Sequence, residues 1–484
     1  MSALSRRSTE LGLIIMAGVL TAAMYALAAL GKNSTIPPII VPFLIVLLGL
    51  LLVAHFATRK LARGADATLL PLAAILHGIG YVMITRLNDH LAGLQTTWTF
   101  VAIAAYVATL LVVQRTPDLA RYKWTFFILG AGLLLMPMVP GVGRSVGGAR
   151  IWVRVGPINF QPGEFAKILL ALFFAGYLYE RRELIATGTW SIGPLRLPEP
   201  RHFMPIALAW VFSVVVMVGQ KDLGSSLLFF TLFVVMLWVA TERATFLVMG
   251  FTLFGGAAYV AFRTFTHVQD RVHIWLDPWS QYQGKGYQIV QGLFAISDGG
   301  VGGAGLGQGH PNLIPAVQND FIFAAIAEEM GLVGSTAVLI SFLLMVGAGL
   351  RIAIRAERSF EKLLAVGLTT LLGVQAFIII GGVIRVVPLT GITLPFVSYG
   401  GSSLVANYIL LALLMRVSDS TARQIGELPD DPTISERYAA WTLRRRLRKG
   451  LAPPGFAGPV TTSPGISTDT PTGSEDATAW QPAT

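Results

Sequence analysis

The chain contains no cysteine. Over 484 residues that removes disulfides, thiol nucleophiles and cysteine-ligated zinc, while leaving the compartment open. Charge is scarce too. Asp, Glu, Lys and Arg supply 13% of the residues, about half of the roughly 25% usual in soluble domains. Acids are scarcer than bases, 26 against 36, but much of the resulting +10 sits in short loops between apolar runs. It is therefore no sign of a nucleic-acid partner. No internal repeat of the kind many transporters show is evident. The first apolar run follows Arg6 and Arg7 without a small-residue cleavage site, so it reads as a retained helix and not a signal peptide.

What the chain has in abundance is apolar sequence: 54% of it is hydrophobic. A membrane span needs about 20 apolar residues, and about twelve stretches qualify. They lie near 11–31, 39–57, 69–85, 97–115, 124–140, 164–181, 203–220, 223–241, 244–263, 321–350, 361–385 and 399–417. The fold class expected is an all-α polytopic membrane protein. Basic loops favour the cytoplasm, which puts Arg59, Lys60 and Arg63 inside with Arg115, Arg121, Lys123, Arg181, Arg182, Arg196, Arg201, Arg351, Arg355, Arg358 and Lys362. An even number of spans then leaves both termini in the cytoplasm. Two long loops, about 140–163 and 264–319, face outward. The first carries Arg144, Arg150 and Arg154, the second Arg271 and Lys285. Arginine outside runs against the charge bias. Lipid phosphate, acid partners within the protein and an anionic ligand all remain open as reasons for it.

The chain divides into N-terminal spans (1–139), a core with outward loops (140–418), a basic segment (419–449) and a tail (450–484). Within the third, "ISERYAAWTLRRRLRK" at 434–449 reads as an amphipathic helix with Tyr438, Trp441 and Leu443 for the lipid, lying on an anionic membrane surface. The tail is rich in Pro, Gly, Ser and Thr and is expected to be disordered.

Four stretches carry chemistry. In 147–170, Pro162 suits a first helical turn and Glu164 the positive helix end. Glu164 and Lys167 then share a face three residues apart. They read either as a packing ion pair or as the source of charge for a bound phosphate. In 264–319 the glycines follow no strand, so a phosphate-loop reading is weak. Trp275, Trp279, Tyr282 and Tyr287 suit sugars or the lipid interface. Near 400, Gly400 and Gly401 at a helix start offer open N–H groups to an anion, with Ser402 and Ser403 as hydroxyl donors, or else form a tight turn. Finally, "NDFIFAAIAEEMG" at 319–331 puts Asp320, Glu328 and Glu329 in apolar company, where a charge is costly and marks function.

In order along the chain, Gly148-Ala149-Arg150-Ile151-Trp152, Gln161-Pro162-Gly163-Glu164-Phe165-Ala166-Lys167 and Asp222-Leu223-Gly224 resemble the SEDS family of RodA and FtsW. So do Tyr287-Gln288 with Gln291, Asp320-Phe321-Ile322-Phe323 with Glu328-Glu329, and Leu394-Pro395-Phe396 running into Ser398-Tyr399-Gly400-Gly401-Ser402-Ser403. The likeness covers about 140–418. It implies a peptidoglycan glycosyltransferase that polymerises lipid II at the outer membrane face, beside a class B penicillin-binding protein, with Asp320 as the catalytic acid of its motif. The family has ten spans, so two precede the shared core here. Those two, the "IRVVPLTG" wording and the long tail look like an actinobacterial RodA. Departures are Gly163 where Ser is common, Lys221 for Pro, Ile379 for Asn, and Gln318-Asn319 for His-Thr.

The resemblance makes Asp320 the general base for the acceptor hydroxyl, its pKa lowered by the helix N-terminus. Arg150, Lys167 and Arg385 are expected to meet the diphosphate. Glu164, Tyr287, Gln288, Gln291, Ser398, Gly400, Gly401 and Ser402 complete the expected substrate contacts. A divalent cation, Mg2+ or Mn2+, could assist, and no organic cofactor is expected. Glu328 and Glu329 lie roughly 12–13 Å deeper at 1.5 Å per residue. On one continuous helix they cannot both face one cavity, so they read as interhelical partners. A lipid II flippase or transporter, a scaffold for cell-wall synthases, and an FtsW-like septal role are the competing readings.

Overall fold

A computed structural model describes residues 3–35, 40–146, 148–156, 158–186, 190–192, 195–197 and 199–427. The expected surface helix at 434–449 and the tail at 450–484 lie outside the described residues. Among the described residues eleven helices are long and apolar enough to cross a membrane. They comprise α1 (Ala3–Asn33), α2 (Ile40–Leu61), α3 (Leu69–Leu87), α4 (Asp89–Val112) and α5 (Lys123–Leu135, continuing a 3-10 turn at Thr116–Tyr122). After these, α6 is Pro162–Ala186, the twelfth expected span, and it is 25 residues long. Its apolar run is interrupted by Glu164 and Lys167 at one end and by Glu180, Arg181, Arg182 and Glu183 at the other. It has the length to cross but is not among the eleven helices apolar enough to do so. The series continues with α7 (Pro200–Gly219), α8 (Leu223–Thr241) and α9 (Thr245–Thr264). Two short helices follow, α10 (Thr266–Leu276) and α11 (Tyr287–Gly299), and then the long α12 (Ile322–Arg355), α13 (Ser359–Val383) and α14 (Gly401–Gln424).

Burial ranks the helices. Over their most apolar stretches α3, α13 and α14 are 83%, 78% and 89% buried, against 11% for α9. The first three form the centre of the bundle, and α9 presents its apolar side outward. Centrality costs α14 something, because it carries Arg416 and Asp419 into the interior. Arg416 donates to Leu61 O and Leu110 O, each at 2.5 Å, near the C-terminal ends of α2 and α4, where carbonyls favour a cation. Asp419 accepts from Gly64 N at 2.7 Å.

Those bonds gather one end of the molecule. Ser418 accepts from Asp66 N, Arg182 donates to Ser359 Oγ at 2.8 Å, and Glu361 accepts from Thr116 and Ser420. The loops bearing Arg59, Arg115, Arg182 and Arg358 therefore share a side. From there α14 climbs 24 residues to Gly401, about 36 Å at 1.5 Å per residue, the thickness of a bilayer core and a little more.

The all-α expectation holds for the fold, and two short sheets are added in its loops. The first of the two loops expected to face outward holds a three-stranded antiparallel sheet, β1 (Gly143–Val146), β2 (Ala149–Val155) and β3 (Ile158–Phe160), with Arg144 opposite Trp152 and Val153 opposite Phe160. Alternation in "ARIWVRV" supports a strand. A second hairpin, β4 (Trp190–Ile192) with β5 (Leu195–Leu197), joins α6 to α7.

The second loop expected to face outward is mostly helical, and its glycines serve packing. Any Cβ on Gly303 would meet Glu329 O at 2.3 Å, and one on Gly307 would meet Ala28 O at 2.4 Å. The loop's backbone lies directly on α12 and α1. Helix α12 breaks at Gly331 (φ 63°, ψ −161°), which corrects the reading of one continuous helix. Freed by the break, Leu332 N and Val333 N donate to Gly300 O and Val301 O. Glu328 and Glu329, expected as interhelical partners that cannot both face one cavity, precede the break and both grip the same glycine loop. Glu328 accepts from His310 N at 2.5 Å, and Glu329 from Gly307 N at 2.9 Å and Arg86 Nε at 2.9 Å. Arg86 also donates to Gly309 O at 2.7 Å.

Candidate active site

At the end opposite the basic loops, the sheet, α10, α11 and the segment after α13 enclose a cavity of about 760 Å³. Asp320 lies on its wall, one residue before the N-cap of α12. Its loop is pinned from behind. Ser398 Oγ donates to Asn319 O and accepts from Leu394 N, while Tyr399 N donates to Gln318 O at 2.9 Å. In front, a Cβ added to Gly391 would stand 3.9 Å from Asp320 Oδ2, so glycine there leaves the carboxylate uncovered.

Charge surrounds it. Asp222, Lys221, Arg271 and Lys285 also line the cavity, with Trp98, Trp152, Asn159 and Tyr399. Asp222 is buried as the N-cap of α8, accepting from Ser225 N at 2.9 Å. Arg271 donates to Leu389 O at 2.8 Å, and Lys285 reaches Asp270 at 2.5 Å. Desolvation pushes the Asp320 carboxyl up to about 6, with its own backbone N–H and then Arg271 opposing. The expected lowering by the helix end is thus reversed, because burial outweighs the nearby dipole. Desolvation also raises Asp222 and lowers Arg271.

Of the expected contacts, Asp320, Gln288, Gly400 and Gly401 are on the wall. Gln288 donates to Pro315 O at 2.8 Å. Gly401 admits the Trp98 ring, since a Cβ would stand 2.1 Å from it. This contact, more than an anion, accounts for the glycine. The others stand elsewhere. Lys167 and Glu164 are buried as a 2.9 Å pair, and Lys167 also donates to Gln375 Oε1 at 2.9 Å. Gln375 in turn donates to Thr393 O at 2.8 Å, so this chain of bonds braces the cavity wall from outside. Arg150 turns back to Val139 O at 3.3 Å. Arg385 caps α10, donating to Trp275 O at 2.8 Å and Leu276 O at 3.1 Å, where a helix end favours a cation. Ser402 accepts from Gln161 N at 3.0 Å, and Ser398 holds Asn319. Tyr287 packs on Tyr282 with ring centroids 6.0 Å apart, and Gln291 is not on the wall.

Sequence reasoning left Arg271, Lys285, Lys221 and Asp222 out of the site. The first two had been marked as arginine and lysine on the wrong side for the charge bias, and that anomaly was the usable signal. Trp98 carries no signal beyond its place in an apolar run.

The family model for FtsW, RodA and SpoVE, described as a cell cycle protein, matches residues 66–423. Ten of the twelve helices of spanning length, α3 onward, fall inside that match. The peptidoglycan glycosyltransferase RodA of Mycobacterium tuberculosis (strain H37Rv) is 42% identical over 436 residues, 88% of this chain and 93% of that protein. A probable peptidoglycan glycosyltransferase FtsW of Geobacter sp. (strain M18) is 32% identical over 373 residues, 74% of this chain and 97% of its own. Among solved structures, a chain from a peptidoglycan synthase complex that coordinates polymerization and crosslinking superposes with a TM-score of 0.61. It is 27% identical and covers 74% of this chain and 98% of its own.

Proposed function

The chain belongs to the FtsW/RodA/SpoVE family of cell cycle proteins, and we propose that it is a RodA-like peptidoglycan glycosyltransferase polymerising lipid II at the outer face of the cytoplasmic membrane. The RodA role, in elongation and shape, rests on 42% identity over 88% of the chain, against 32% over 74% for the FtsW relative. One observation carries the chemistry: Asp320 stands on the wall of a cavity together with Lys221, Arg271 and Lys285. In the reaction the acceptor's hydroxyl oxygen attacks the donor's anomeric carbon and its proton passes to Asp320. The bond from that carbon to the diphosphate oxygen breaks, and the electron pair leaves with undecaprenyl diphosphate. A carboxylate with a pKa near 6 is a stronger base than an ordinary aspartate and is still mostly ionised at pH 7.

Purified protein supplied with lipid II tests this reading. Wild type should build glycan strands in detergent, where no leaflet needs crossing. Asp320→Asn, with the same fold, should lose about 10²–10⁴-fold of that rate. Polymerisation by Asp320→Asn at near wild-type rate would remove Asp320 as the base.

The protein is an integral membrane protein. We place both termini in the cytoplasm, an orientation supported by the basic loops gathered at the end opposite the cavity. A divalent cation is proposed to take part. Among the described residues no cluster of three or more His, Asp or Glu side chains could hold one. The donor set instead suits Mg2+ or Mn2+ held by one carboxylate with substrate phosphates, and Asp222 on the cavity wall is the carboxylate that would hold it, which leaves Asp320 free to act as the base. Such an ion supplies charge to the diphosphate. A class B penicillin-binding protein is the proposed partner, supported by the likeness to a synthase complex that polymerises and crosslinks. Anionic lipid is the proposed partner of the basic segment at 434–449.

A further inference from the structure

Lys221 ends α7 in an unusual way. Lys221 N donates to Val218 O and Asp222 N to Met217 O, both at 3.0 Å. These are the paired bonds of a Schellman cap, whose left-handed position is ordinarily glycine. Lys221 occupies that position with φ 62°. A proline, fixed near about −65°, could not adopt it, and glycine would do so without strain. Yet the chain places a lysine there, on the cavity wall. Among the described residues its ammonium has no hydrogen bond or ion pair, whereas Lys285 is paired with Asp270 and Arg271 is bonded to Leu389 O.

A strained backbone carrying an unpaired cation into a cavity suggests a ligand. Its charge pattern narrows the class. Burial lowers the pKa of nearby His267, and Lys221 and then Arg271 lower it further, so both cations bear on one region. A single carboxylate needs only one of them, whereas two linked phosphates can engage both.

We propose that Lys221, with Arg271, binds the diphosphate of the lipid-linked sugar donor. This assignment rests on the glycosyltransferase reading for its substrate. As the anomeric C–O bond breaks and its electron pair moves onto the diphosphate oxygen, the ammonium offsets the added charge. The bland alternative is that Lys221 only complements the carbonyl end of α7.

Two measurements on the purified full chain separate these. The first is melting temperature with inorganic diphosphate titrated against acetate at equal ionic strength. Wild type should be stabilised by diphosphate and not by acetate. Lys221→Gly keeps the cap and removes the charge, so it should melt at or above wild type and bind diphosphate about 10–100-fold more weakly, the worth of a charge-assisted hydrogen bond. Lys221→Arg should retain most of the affinity. The second is polymerisation of lipid II, where Lys221→Gly should show a raised KM. Unchanged diphosphate affinity in Lys221→Gly, equal protection by acetate, or a melting loss that parallels the lost affinity would each overturn the proposal. If wild type binds diphosphate through Lys221 yet forms no glycan, the site stands and the glycosyltransferase reading falls. If it forms glycan and Lys221→Gly binds diphosphate normally, the reverse holds.

Discussion

Removing the charge at Lys167 would expose what its pair with Glu164 contributes. Both side chains are buried, 6% and 3% exposed, and Lys167→Met would strand Glu164 beside Gln375. Breaking a buried pair by removing one partner costs about 3–5 kcal/mol, so the melting temperature should fall clearly, together with activity. Glu164→Gln combined with Lys167→Met should recover much of the stability. A melting point unchanged in the single variant would return Lys167 to the substrate. The spacing of three residues was enough to read the pair from sequence. What it lacked was direction, since nothing in a helical period says that the Lys167 face meets Gln375 of α13 instead of the cavity. Arg150 and Arg385 were misplaced for the same reason, each turned toward backbone carbonyls. Asp320 stood out because an acid among Phe, Ile and Ala has few cheap explanations, and it lies on the cavity wall.

At the scale of elements, the break in α12 joins the short segment bearing Glu328 and Glu329 to the long membrane helix. Gly331 sits at φ 63°, ψ −161°, a region open essentially to glycine alone, and a Cβ there would stand 2.3 Å from Gly303 N. Gly331→Ala should therefore cost several kcal/mol, about 3 or more from strain and clash together, seen as poor yield of folded protein. Wild-type yield and melting temperature in Gly331→Ala would show that the glycine loop can move aside. This break was invisible in the sequence, because one glycine inside an apolar run is tolerated in a straight helix. Eleven of the twelve expected spans were legible, since burying some 20 apolar residues dominates every local preference, whereas α6 has the length without the composition. The sheet at 143–160 was harder to see because its strands are short and only the alternation in "ARIWVRV" announces one of them.

Taken whole, the molecule makes a claim about its own ends. The proposed tail at 450–484 has little apolar surface to bury, so its deletion should leave lipid II polymerisation by purified protein within about twofold of the full chain, a margin set by the small effect such a segment has on a core. Loss of activity in a folded, truncated protein would refute that. Between the two ends runs a column of packed rings. Phe396 meets Tyr408 at 5.4 Å, Tyr408 meets His77 at 6.0 Å and Tyr106 at 6.3 Å, and Tyr106 bonds Thr58 at 2.6 Å near the basic end. Asp320 stands on the cavity wall, so a proton it takes up has the cavity as its route out. Asp320 serves as a base only when ionised, so with its pKa raised to about 6 the activity is held above that pH and lost as pH falls through it. In vesicles with the cavity facing outward, acid added to the bath should stop strand growth, and acid confined to the lumen should not. The enzyme would then answer to the weather of the wall and be deaf to that of the cell interior.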